Sequence, residues 1–207
     1  MQTDGRLASL PRRLPSLTSD PIHKESLPVT PLERLRDFYE YEKDCNQKVL
    51  QMFNSVPVQN RMAADSTIEA TNPSDPHSEQ YCTNFQKAID KFTHAVTCRK
   101  LWSYRLQYIE LPPASIFPNG MALGQIEDLL KSVYGKWDQL MSDLTDQKID
   151  QQITYTSTDG PQHSDRLADI LFHLHGHMMY HRGQVATLVH MCGGQAVDTD
   201  YFFWIHR

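Results

Sequence analysis

Apolar residues recur at helical spacing in four long runs of this chain. The polar gaps between the runs carry prolines and glycines. In the first run, Leu32, Leu35, Phe38, Tyr39, Val49, Leu50 and Phe53 share one face, apart from a polar stretch around Asp44 to Lys48, and the spacing predicts a helix over about 31–54. Thr30-Pro31 opens it as an N-cap followed by proline at the first helical position, and Pro57 follows its end. Residues 55–77 are polar and include Asn72-Pro73 and Asp75-Pro76; they read as a loop with a short helical piece near Gln59 to Asp65. From Ser78 to Tyr108 a second helix is predicted by Phe85, Ile89, Phe92, Val96, Leu101, Trp102 and Leu106. Pro112-Pro113 and Pro118-Asn-Gly break the chain before a third, over about 121–144, with Leu123, Ile126, Leu130, Val133, Trp137 and Leu140 among its apolar positions.

The period then changes. Ile149 to Thr158 contains the β-prone Ile153-Thr-Tyr-Thr, and Asp159-Gly160-Pro161 is a turn signal, so a short extended segment or small ribbon is expected. Ser164 or Asp165 should cap a fourth helix that runs to about Met191 and ends at Gly193-Gly194. The tail Tyr201-Phe-Phe-Trp-Ile205 is too aromatic to stand in water and should pack back on the body. Four long helices with one long connection describe an all-α four-helix bundle, with a short extended segment before the fourth helix. Residues 1–30 carry Pro11, Pro15, Pro21 and Pro28 and few large apolar groups; they read as a flexible N-terminal arm separate from a bundle domain over 31–207.

Composition narrows the function classes. Of 207 residues, 40% are hydrophobic and 22% charged, ordinary for a soluble globular domain. The net charge of −5 argues against a basic footprint for nucleic acid. No run approaches the roughly 18 apolar residues of a membrane span. The first residues lack the layout of a signal peptide. Cys45, Cys82, Cys98 and Cys192 are scattered, with no C-x-x-C pair, which suits a reducing compartment and a cytoplasmic protein.

Candidate chemistry concentrates in the fourth helix. His173-Leu-His-Gly-His177-Met-Met-Tyr-His181-Arg-Gly-Gln184 places four of the ten histidines inside nine residues. His173, His177 and His181 form an i, i+4, i+8 series, each step turning about 40° and the whole climbing about 12 Å. A metal–nitrogen bond is about 2.1 Å, so His173 and His181 cannot share one ion. The ligand pair is 173/177 or 177/181. His175 and His190 point away and are not ligands.

One helix supplies two ligands, and a catalytic site wants three with a position left open. The third must come from another helix, and His94, near the apolar face in the middle of the second helix, is the natural candidate. The plainer reading of each element is a hydrogen-bonded core histidine on the second helix and a solvated stripe on the fourth. No H-E-x-x-H or Glu-x-x-His occurs, which excludes a zincin and argues against a di-iron carboxylate bundle. Cys98, four residues after His94, offers a soft ligand but reads more simply as a buried free thiol.

The string His177-x-x-x-His181-Arg182-Gly183-Gln184, closing a long helix after an extended segment, resembles the DinB/YfiT-like family. Tyr39-x-Tyr41 with Asn46, Phe92-Thr-His94-Ala-Val with Leu101-Trp102, Ile153-Thr-Tyr-Thr through Gly160, and Asp198-Thr-Asp200-Tyr201 extend the likeness over about 31–205. It departs in the N-terminal arm and at Gly176, where relatives often have asparagine. The resemblance implies an up-down-down-up four-helix bundle. It also implies a divalent metal on His94, His177 and His181, with zinc or nickel foremost and iron, cobalt or manganese as further candidates. Family activities include thiol S-transfer with a low-molecular-weight thiol as cosubstrate and thiol-dependent isomerisation.

An enzyme of this kind would use the ion to activate a thiol or a water on a small-molecule substrate, giving S-transfer or hydrolysis. The rival is a non-catalytic metal-binding or interaction module. A homodimer is expected on the family pattern, and no nucleic-acid or membrane partner. His173 and Tyr180 are candidates for groups acting beside the ligands, against plainer roles in packing. Arg182 and Gln184 read as braces for the helix end or a neighbouring helix, and Gly183 as a site of close helix approach.

Overall fold

The computed structural model describes residues 29–61 and 77–207. The expected arm, residues 1–28 in particular, lies outside them, as does most of the loop at 62–76. Four long helices carry the core: α1 (Pro31–Ser55), α2 (Ser78–Arg105), α3 (Leu123–Asp143) and α5 (Leu167–Met191). The chain among the described residues is otherwise a 3₁₀ turn at Val58–Asn60, the short helices α4 (Asp146–Ile149) and α6 (Tyr201–Ile205), and a two-stranded hairpin of β1 (Gln152–Thr156) and β2 (Gln162–Arg166). The protein is all-α in class, with this one small ribbon.

α1 begins as the sequence dictates. Thr30 caps it, its hydroxyl accepting from Glu33 N at 3.2 Å while the Glu33 carboxylate accepts from Thr30 N at 2.7 Å. α2 stops at Arg105 rather than at Tyr108. Gln107 turns left-handed at φ 65°, its N–H donates to Tyr104 O, and Tyr108 N donates to Ser103 O. The apolar period through Leu106 belongs to this turn. The predicted cap of the fourth helix is also corrected: Ser164 and Asp165 lie in β2, paired with Thr154 and Ile153, and Arg166 stands at the N-cap of α5. Polar residues that could cap a helix serve here in an exposed strand.

Pair contacts give the helix directions. Phe38 of α1 meets Phe172 of α5; Tyr41, three residues further along α1, receives at 5.0 Å the guanidinium of Arg182, ten residues further along α5, so α1 and α5 run the same way. The Arg36 side chain donates to Met141 O, Tyr39 OH donates to Asp138, and Asn46 donates to Tyr134 OH, so α1 and α3 are antiparallel. Leu35, Val49, Phe53, Phe85, Ile89, Phe92, Ile126, Trp137, Leu171, Val185 and Val189 close the core between them. The tail behaves in two ways. Tyr201 and Trp204 pack on Phe38 and Tyr41, whereas Phe202, Phe203 and Ile205 stay more than half exposed.

The tight glycine is Gly194. A Cβ there would lie 2.7 Å from methyls of both Val189 and Val56. Gly183 has nothing within 4 Å, so it does not serve close helix approach.

Candidate metal centre

α2 and α5 pack side by side and bring three imidazoles together. On α2, Ile89, Phe92, Ala95 and Val96 are buried, which leaves His94 at the edge of the apolar stripe. On α5, Leu174, Met178 and Val185 form the buried stripe, with His177 and His181 on its α2 side. One ring nitrogen from each of His94, His177 and His181 falls in a group whose members all lie within 4.8 Å of one another. His177 Nε2 and His181 Nε2 stand 3.1 Å apart. Two nitrogens on one tetrahedral ion, each at about 2.1 Å, would be about 3.4 Å apart, so this pair has the spacing of a divalent-metal site.

The opposite edges of two rings are tied down. His94 Nδ1 donates to the Ile116 carbonyl at 2.5 Å, and Phe117 stacks on the ring, centroids 4.5 Å apart and planes 3° from parallel. The loop holding Ile116 and Phe117 is pinned back on α2, where Gly120 N donates to Asp90 at 3.1 Å. His181 Nδ1 donates to Gln184 Oε1 at 3.0 Å. Both bonds commit Nδ1 and leave Nε2 with its lone pair, the arrangement that orients a ligating histidine. Burial pushes the His177 imidazole down to about 4, helped by the neighbouring His181 and His94, and burial pushes His181 down as well. Neutral rings with open lone pairs are the form a metal takes up.

Other predicted residues fall as follows. His173 is exposed one turn from His177, ring centroids 5.9 Å apart. Tyr180 is 64% exposed with its ring 5.2 Å from His181, so it is not a core residue. Gln184 is not a brace between helices; it holds His181. Arg182 is the brace, buried with its guanidinium on the Tyr41 ring. Cys98 Sγ lies 3.7 Å from His94 Nε2 but outside the three-nitrogen group, and burial raises its thiol to about 11. His190 is exposed on the far side of α5.

His175 turns inward, away from the other three, as the helical arithmetic requires. It is buried, with Nδ1 3.1 Å from both Glu42 Oε2 and Arg99 Nη2. Arg99 in turn donates through Nε and Nη2 to the two Glu42 oxygens. Desolvation alone would raise the Glu42 pKa, but the Arg99 guanidinium and His175 outweigh it and hold the carboxyl at about 2. This buried triad fastens α1, α2 and α5 directly behind the histidine cluster. Neither Glu42 nor Arg99 announces itself in the sequence, since Glu42 stands among Glu40, Lys43 and Asp44 and Arg99 beside Lys100, where each reads as one more charge on a solvated helix face. Ile116 and Phe117 were legible only as part of a proline-bounded break.

The family model described as the DinB family matches residues 38–207, a span that contains all three clustered histidines. No curated protein and no solved structure matches the chain.

Proposed function

The chain belongs to the DinB family, and from that premise we propose that it is a metal-dependent enzyme with a divalent ion, zinc or nickel, on His94, His177 and His181. The reaction we assign is thiol S-transfer, a low-molecular-weight thiol being delivered to a small electrophilic substrate. The observation that carries the reading is the open ligand set. Three imidazoles from two helices converge, and among the described residues no fourth side chain joins their group. Structural ions are closed by four protein ligands, whereas catalytic ones keep a position for substrate. The pairwise helix directions support the up-down-down-up order of such a bundle.

A bound divalent ion supplies Lewis acidity, lowering the pKa of a thiol or water so that a nucleophile exists at neutral pH. The chain does the rest. Ile116 O and Gln184 Oε1 hold the His94 and His181 rings with Nε2 directed to the site. Phe117 stacks on one face of the His94 ring and helps fix its plane. To His173, exposed one turn from His177 with ring centroids 5.9 Å apart, we assign the uptake of the proton that a nucleophile would lose. We place the enzyme in the cytoplasm, a reading supported by four free cysteines and by the lack, among the described residues, of any helix long and apolar enough to cross a membrane. The exposed Phe202, Phe203 and Ile205 support pairing of two such chains.

The test is turnover of the metal-loaded protein on a panel of thiols with alkylating and epoxide electrophiles, alongside ester and amide substrates. Thiol consumption that requires metal and disappears in His177→Ala supports S-transfer. Ester or amide cleavage alone reassigns the protein as a hydrolase, and inactivity of a fully loaded protein on both panels leaves a non-catalytic metal-binding module.

A further inference from the structure

We propose that the α2–α5 seam runs on from the metal centre into a pocket for the far end of the substrate, and that this end is a flat apolar group carrying an ammonium. The proposal rests on the metal-centre reading above and adds the substrate class. α2 and α5 are antiparallel: His94 sits beside His177 and His181, while Trp102, two turns later, shares a cavity with Ile170 and His173. The seam therefore has His94, Cys98 and Trp102 on one wall and His181, His177 and His173 on the other, each row at four-residue spacing. Past His173 it opens into a cavity of about 300 Å³ lined by Trp102, Tyr155, Asp165, Asp169, Ile170 and His173. That volume holds a small ligand. From His177 to Asp169 the helix rises about 12 Å, which is the span the substrate must cover.

The lining determines the chemistry. Trp102 and Tyr155 make an aromatic wall, rings edge to face at 4.7 Å. The wall is stiffened from behind by Arg105, whose guanidinium lies 4.8 Å from each ring and donates to Thr156 O at 2.6 Å. Asp165 accepts from Tyr155 OH through Oδ2 at 2.8 Å, which orients the carboxylate and leaves Oδ1 for a ligand. Asp169 is held by Arg166 at 2.9 and 3.1 Å, with both side chains half exposed. No lysine or arginine lines the cavity. Arg105 and Arg166, which neighbour its lining residues, are already engaged, and Asp150 adds a further negative charge beside Arg166. Asp165, which has a free oxygen and no cationic partner among the described residues, beside an aromatic wall favours an ammonium on an aryl or alkyl body and disfavours a carboxylate, while the charge of Asp169 is paired with Arg166.

The probe is 3-phenylpropylamine, titrated calorimetrically into the metal-free full chain, with 3-phenylpropanol and 3-phenylpropionate as neutral and anionic counterparts. The amine should bind wild type and His177→Ala alike, and at least tenfold more tightly than either counterpart. Asp165→Asn/Asp169→Asn should weaken it at least tenfold while melting within a few degrees of wild type. With zinc added, a thiol tethered to the same amine across about 12 Å should bind at least tenfold more tightly than the amine alone, a gain absent in His177→Ala. Equal binding of the three probes, no saturable binding, indifference to the Asn changes, or no gain from the tether would overturn the proposal. Elemental analysis of the zinc-treated sample separates the two readings: no tether gain in protein that carries zinc overturns the proposal, whereas protein that takes up no zinc contradicts the three-histidine assignment, and the amine arms are read without metal.

Discussion

Replacing Glu42 by glutamine removes the one carboxylate of a buried charge cluster and should be among the costliest single changes in the protein. Glu42, Arg99 and His175 are 1%, 1% and 3% exposed, and Arg182 is buried at 2%. Wild type therefore encloses two guanidinium groups and one carboxylate. Arg99 spends two nitrogens on Glu42 and rests on the Trp137 ring at 4.4 Å, so it has no path to water. Glu42→Gln leaves both cations uncompensated, and breaking a buried pair by removing one partner costs about 3–5 kcal/mol. Linkage gives a figure of the same order. Held at about 2 instead of 4.5, the carboxyl contributes about 3 kcal/mol at neutral pH. Because the folded pKa is depressed, that contribution is full above about pH 5 and drains away as pH falls toward 2, where the folded state must also take up the proton. Urea unfolding followed by circular dichroism at pH 7, 5 and 3.5 measures both effects. The gap between wild type and Glu42→Gln should be about 3–5 kcal/mol at pH 7, hold at pH 5 and shrink at pH 3.5. Arg99→Met in the same background should recover most of it. A gap under about 1 kcal/mol, or one that does not change with pH, would refute the reasoning.

Three further changes separate site from scaffold. Gln184→Ala should weaken metal binding about 10–100-fold by releasing His181 Nδ1, measured by competition with a chelator; unchanged affinity would mean that Gln184 does not orient the ligand. Gly194→Ala forces a methyl to 2.7 Å from Val56 and Val189 and should cost about 1–3 kcal/mol. Gly183→Ala, with open space around it in a helix interior, should instead gain up to about 1 kcal/mol. Thermal melts decide this pair, and the reverse order would show that the two glycines have been assigned the wrong roles.

Much of the scaffold was legible because period and punctuation agree. Thr30-Pro31 and Glu33 mark the start of α1, and the apolar positions of α3 recur without interruption to Leu144. Misreadings occurred where one residue type serves two purposes. Ser164 and Asp165 are good caps and acceptable strand residues; pairing with β1 settled the matter, and single-chain spacing carries no trace of a partner strand. Gly183 reads in the sequence as the close approach and Gly194 only as part of the helix stop, and the position of Val56 on another element moves the close approach to Gly194. In the site, 3.6-residue geometry excluded His175 and kept His173 and His181 apart. Choosing between the two remaining pairs required His94, whose distance from α5 depends on how two helices slide against each other. The anchors Ile116 and Gln184 stayed hidden for different reasons. A backbone carbonyl carries no side-chain signature, and a glutamine near a helix end has many ordinary roles.

The account rests on the three histidines holding one ion, and metal content of the purified full chain tests this most directly. Elemental analysis after reconstitution with zinc or nickel and gel filtration should find about one ion per chain in wild type, as one three-nitrogen site requires. His94→Ala, His177→Ala and His181→Ala, each folded by circular dichroism, should retain close to none. Equal metal in wild type and all three variants, or none in any of them, would contradict the assignment.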